Sequence, residues 1–175
     1  MITYSEFKAS IAYLLEQDLE GWFPNGHATW TWCEHGDDIL VCMAGYLKIK
    51  HTILDSCVQC TEYHVCYSPI YQNPVLYMIS YDQHGNPINM LDDPDGILQH
   101  AIRDHQVTVS QESHPSTHQP CLYQLHPCNT DDIIASIVSD DHGDTGVARY
   151  MLAWMSAVQC GLAPTAAVAS RLLSE

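Results

Sequence analysis

Between residues 28 and 82 the chain repeats one signal: short apolar or alternating runs separated by turn residues. Trp30 and Trp32 alternate with Thr29 and Thr31 across 28–34, the period-two aromatic pattern of a strand. The turn His35-Gly36-Asp37-Asp38 leads into an apolar strand over 39–49, and further strands are predicted over 61–68 and 75–82. Residues 69–74 close the last two into a hairpin, and Gln83-His84-Gly85-Asn86 turns the chain out of the fourth strand. Four strands with links this short predict an antiparallel meander.

The flanks of this block read as helix. Thr3 and Glu6 have capping-box spacing. Phe7, Ile11, Leu14, Leu15 and Leu19 follow on one helical face until Gly21 and Pro24 end the pattern. Such a face is expected to pack on the sheet. Beyond the strands, Asp92-Asp93-Pro94-Asp95-Gly96 is an acidic turn and 97–103 a short helix. Residues 107–120 are polar and rich in Ser, His, Gln and Pro, and read as a loop. Ile133, Ile134, Ile137 and Val138 form a helical face within 131–138. After a second acidic turn at 140–146, a helix opens at Thr145 or Gly146 and runs to about Leu162; 165–173 forms a last one. With no internal repeat and no linker, the expectation is a single α+β domain over 1–175.

A chain of 175 residues with 46% hydrophobic content is long enough for one compact core. Its formal net charge is −15, with six Lys plus Arg against 21 Asp plus Glu. That balance lacks the basic footprint of a nucleic-acid binder and suits a basic protein partner or plain solubility. The first residues lack the basic and apolar blocks of a signal peptide. No apolar run approaches the ~18 residues of a membrane span. A cytoplasmic location is expected, where the eight cysteines are reduced thiols. No cofactor is expected.

Cys128 stands out chemically. In Leu125-His126-Pro127-Cys128-Asn129-Thr130, Pro127 fixes its own φ and biases His126 toward extended backbone. A thiolate leaving such a segment at a defined angle is a candidate nucleophile. The alternative is a small buried hydrophobe. Cys57-Val58-Gln59-Cys60 has the spacing of half a zinc site, with His51, His64 and Cys66 nearby in sequence; no second C-x-x-C completes it. His126 is also a nearby base for a cysteine hydrolase. Tyr63, Tyr67, Tyr77 and Tyr81 read as sheet packing. Tyr71, at the tip of the 69–74 hairpin, cannot be fully core and is either a surface group or a contact to a partner or active site.

The order of these pieces resembles the ubiquitin-conjugating-enzyme-like fold: an N-terminal helix, a four-stranded antiparallel meander, a long loop, His-Pro-Cys and C-terminal helices. Three motifs narrow it. Tyr67-Ser68-Pro69-Ile70-Tyr71-Gln72-Asn73-Pro74-Val75-Leu76 is similar to the Tyr-Ser-x-x-Tyr-x-x-Pro-x-Leu hairpin of the autophagy-related protein ten family. Leu125 to Thr130 resembles that family's His-Pro-Cys-x-Thr active-site motif. Tyr150-Met151-Leu152-Ala153-Trp154-Met155-Ser156 resembles the start of its last helix. The resemblance implies an enzyme that receives a ubiquitin-like modifier, autophagy-related protein twelve, from an activating enzyme, autophagy-related protein seven. The modifier would be held as a thioester on Cys128 and passed to a lysine of autophagy-related protein five. It further implies that Tyr71 and His126 sit beside the thiol and take over part of the role of the absent His-Pro-Asn, by donating a hydrogen bond to the oxyanion or by holding the active-site loop. Asp131 and Asp132 read as helix N-terminal acids. The sister family that transfers its modifier to lipid also carries His-Pro-Cys, but it has a large insertion that this chain lacks. A zinc-stabilised binding module built on Cys57 and Cys60 is the rival of a different class.

Overall fold

A computed structural model describes residues 2–23, 26–34, 45–53, 58–105, 107–125, 144–158 and 162–172. The first helix, α1 (Tyr4–Glu16), starts where its capping box predicts. The Thr3 Oγ1 accepts from the Glu6 N–H at 3.2 Å, and Glu6 Oε2 accepts from the Thr3 N–H at 2.6 Å. Two otherwise orphaned donors of the first turn are thereby satisfied. Phe7, Ile11 and Leu14 are buried beneath the helix, while Leu15 and Leu19 are half-buried.

Four strands follow in meander order: β1 (Gly26–Glu34), β2 (Gly45–Ile53), β3 (Val58–Ser68) and β4 (Asn73–Asp82), each antiparallel to the next. The fold is α+β, with an N-terminal helix and an antiparallel meander as expected, but its sheet has more strands. A two-residue β5 (Pro87–Ile88) pairs with β4. After helix α2 (Ile97–His105), strands β6 (Val109–Glu112) and β7 (Leu122–Leu125) extend the order to β1-β2-β3-β4-β7-β6. The 107–120 segment expected as loop therefore contains a strand. β6 is an edge strand with half its residues exposed, so it lacks the apolar alternation that marks inner strands. The second strand, expected over 39–49, continues to Ile53. Polar Lys50-His51-Thr52 hid this extension, yet His51 is buried, its ring stacked on Phe23 at 4.2 Å. Residues 39–44 and the helix expected over 131–138 lie outside the described residues.

Helices α3 (Asp144–Ala157) and α4 (Ala166–Leu172) complete the chain. One core joins α1, α2, α3 and α4 to the sheet face carrying Leu47, Ile49, Tyr63, Val65, Leu76, Met78, Tyr123 and Leu125. The segment after α1 is tied to the C-terminal end, where Trp22 Nε1 donates to Leu162 O at 2.9 Å.

The opposite face is buried too, around Tyr46, Cys66, Val75, Tyr77, Ile79 and Leu122. Its cover is the loop between β6 and β7, whose His114 and Ser116 are buried against it. Among the described residues, no helix is long and apolar enough to cross a membrane.

Candidate functional site

The β3–β4 hairpin has a fixed base and an exposed tip. At the base, the Tyr67 hydroxyl donates to Ile2 O at 2.9 Å, and the Ile2 N–H donates to Gln72 O at 2.9 Å. The lead-in to α1 is thus bonded to the hairpin through both of its backbone groups. From the other side, the Tyr150 hydroxyl of α3 donates to Oδ1 of buried Asn73. Two of the three motifs that carried the resemblance are therefore hydrogen-bonded to each other, a link that sequence spacing does not reveal.

Above this base, residues 69–72 turn the chain. The Ser68 Oγ accepts from the Tyr71 N–H at 3.3 Å, and Gln72 takes a φ of 50°, the left-handed conformation that lets a non-glycine residue close a tight turn. Ile70 is 86% exposed and Tyr71 42% exposed. The two exposed side chains stand next to each other above a base held by hydrogen bonds. Tyr71 is a surface residue of the tip, as its position predicts, while Tyr63, Tyr67 and Tyr77 are buried in the sheet.

β7 is antiparallel to β4, with Leu125 opposite Leu76 and Tyr123 opposite Met78. The chain therefore runs along β7 toward the hairpin end of β4. The Tyr123 hydroxyl donates to Asn89 Oδ1, anchoring this strand. His126 and Cys128, which follow in sequence, lie outside the described residues, as does Cys57.

The other cysteine and histidine candidates separate. β2 places His51 on the helix-covered face, opposite Thr61, whereas His64 and Cys66 of β3 lie on the other face, opposite Lys48 and Tyr46. Side chains on opposite faces of one sheet cannot share a metal. Among the described residues, no group of three or more His, Cys, Asp or Glu side chains could hold a metal ion. Cys60 is half-buried on β3, where burial raises its thiol pKa against the opposing pull of Lys50.

His64 faces Glu62 at 3.5 Å, and Glu62 also receives Lys48 Nζ at 2.8 Å. The hydrogen bond from His64 and the Lys48 ammonium together hold the Glu62 carboxyl down at about 2, against the opposing effect of burial.

A sheet packed on one side by helices, with a hydrogen-bonded hairpin beside the end of β7, is the architecture of a conjugating-enzyme-like domain. A family model described as autophagocytosis associated protein, active-site domain, matches residues 49–165, and the chain belongs to that family. Among curated relatives, it is similar to the ubiquitin-like-conjugating enzyme ATG10 of Homo sapiens, 31% identical over 101 residues, which cover 55% of this chain and 46% of that protein. The Arabidopsis thaliana protein of the same name is 28% identical over 129 residues, covering 67% of this chain and 56% of the relative. The Dictyostelium discoideum ATG10 is 29% identical over 110 residues, 55% of this chain and 47% of its own length. The chain thus spans about half the length of the curated relatives it matches.

Proposed function

We propose that this chain is a ubiquitin-like-protein transferase that carries its modifier as a thioester on Cys128. The observation that carries this reading is the active-site-domain match over 49–165, a span that includes His126-Pro127-Cys128. Sheet direction supports it. β7 ends at Leu125 heading toward the hairpin end of β4, and the three residues from there to Cys128 reach at most ~11 Å.

The chemistry has two balanced steps. The Cys128 thiolate attacks the activated carbonyl of the modifier's C-terminal glycine; a C–S bond forms as the bond to the activating enzyme breaks. A neutral lysine amine of the acceptor then attacks the thioester carbonyl. A C–N bond forms, the C–S bond breaks, and the amine's proton passes to a base or solvent. In both steps negative charge gathers on the carbonyl oxygen. The Tyr71 hydroxyl and the His126 ring N–H are the donors we assign to it. The modifier is autophagy-related protein twelve, the activating enzyme autophagy-related protein seven and the acceptor autophagy-related protein five. The exposed hairpin tip at Ile70 forms part of the acceptor contact.

The test is an adduct assay with modifier, activating enzyme and ATP. Wild type is expected to form an adduct that thiol reductant removes, and Cys128→Ser an adduct that survives reductant, because an oxygen ester resists thiol exchange. If neither adduct forms with active partners, the reading fails.

A further inference from the structure

The loop between β6 and β7 is organised by one histidine. His114 is fully buried. Its Nδ1 accepts two backbone hydrogen bonds, from the N–H groups of Ser116 and Thr117, both at 3.1 Å. A ring nitrogen that accepts carries no proton, so the bonding pattern assigns the hydrogen to Nε2. That Nε2 faces Cys66 Sγ at 3.6 Å, with sulfur as the acceptor. The geometry copies an Asx turn, with a ring nitrogen in place of a carboxamide oxygen. The backbone of the same residue closes the loop: its N–H donates to Gln119 O at 2.8 Å, and its carbonyl accepts from the His118 N–H at 2.9 Å.

Neighbours surround the ring from three strands. Tyr46 of β2 lies at 4.5 Å between ring centroids, His64 of β3 at 4.9 Å and Tyr77 of β4 at 5.7 Å. Burial pushes the Cys66 thiol and the Tyr46 hydroxyl well up, and raises Tyr77 to about 12. All three therefore stay neutral at physiological pH. Behind them, Cys33 of β1 bonds to Tyr46, and Glu112 of β6 acts on Tyr77. Glu62 is engaged with Lys48 and His64. An imidazolium has no lone pair on Nδ1. Taking up a proton there removes the shared acceptor of two backbone donors and adds charge beside a second histidine.

We propose that His114 is a proton-operated latch: its neutral ring holds the 113–121 loop on the sheet and so positions β7, and its protonated ring releases the loop. The loop runs directly into β7, the strand that precedes His126-Pro127-Cys128 in sequence. The latch itself does not depend on what Cys128 does.

Amide hydrogen exchange of Ser116 and Thr117, corrected for intrinsic exchange, tests this in a descending series from pH ~8 to ~4, because burial and two bonds to the neutral ring disfavour its protonated form. Wild type should lose protection as pH falls, by up to about tenfold per pH unit for a single proton. His114→Asn keeps an acceptor near the Nδ1 position without titrating, and should stay protected at the acid end. His114→Ala should leave the two amides unprotected throughout. If a variant fails to fold, the ring ¹⁵N resonances of wild type still decide: Nδ1 must be unprotonated at pH ~8. A protonated Nδ1, pH-independent protection in wild type, or a wild-type-like loss in His114→Asn would each overturn the latch.

Discussion

On one face of the sheet, Leu47, Ile49, Tyr63, Val65, Leu76 and Met78 meet helices; on the other, Tyr46, Lys48, Glu62, His64, Cys66 and Tyr77 meet a loop or solvent. Helices present apolar stripes, so the strand residues facing them are mostly apolar, with His51, Thr61 and Ser80 as buried polar exceptions in one row. A loop presents backbone N–H and C=O groups, so the face beneath it holds side chains that can accept, donate and stack. The first face is held mainly by apolar contacts, with His51 a buried titratable side chain among them. The second is held partly by groups that titrate. One sheet thus combines a mainly apolar core with a cover richer in titratable groups.

The largest effect should come from the apolar face. Phe7 is fully buried against Tyr67, with ring centroids 5.8 Å apart, and Trp32 at 6.3 Å. Phe7→Ala should lower stability by about 3–5 kcal/mol in denaturant unfolding, by a similar amount at pH 5 and pH 8. A cost that changes strongly with pH would break the contrast between the faces.

A smaller, pH-dependent effect should come from Glu62. Its carboxyl is held at about 2, against an ordinary value of 4.5. A depressed carboxylate contributes stability that is complete above pH ~4.5 and disappears as pH falls toward 2. The shift corresponds to roughly 3 kcal/mol, and the solvent screening at Lys48, which is 32% exposed, trims this to about 2. Glu62→Gln should therefore lose about 2 kcal/mol at pH 7, and its unfolding free energy should have a shallower slope between pH 4.5 and 2. An unchanged slope would show that the acid sensitivity of this face resides elsewhere.

The same contrast explains what could be read from the sequence. Thr3 and Glu6 announce α1 because a capping box is local chemistry, complete within four residues. Trp30 and Trp32, and the run from Val75 to Asp82, announce strands because apolar side chains dominate one face. His64 and Cys66 are recognisable as sharing a face, but not as buried: their cover is a loop some fifty residues downstream, which no local pattern reports. β6 is hidden for the same reason, since an edge strand of Val109-Ser110-Gln111-Glu112 differs little from a polar loop until β7 pairs with it. At the candidate site, the exposed tip at Tyr71 follows from its place in a hairpin. The bond from Tyr150 to Asn73 does not, because it joins residues 77 positions apart. His126 and Cys128 enter from sequence alone.

The smallest effect on stability, and the sharpest on function, is expected at the hairpin tip, which neither face covers. Tyr71 is 42% exposed, so Tyr71→Phe should change unfolding free energy by no more than about 0.5 kcal/mol. Transfer from the thioester should respond differently to two substitutions. If the hydroxyl donates to the oxyanion, Tyr71→Phe should slow transfer by up to about a hundredfold with Cys128 charging otherwise measurable, and Tyr71→Ala should be no worse. If the ring instead docks the acceptor, Tyr71→Phe should transfer normally, whereas Tyr71→Ala and Ile70→Ser should both raise the acceptor concentration needed for half-maximal transfer. Single-turnover transfer across a range of acceptor concentrations separates the two, because loss of an oxyanion donor lowers the saturated rate and loss of a docking contact does not.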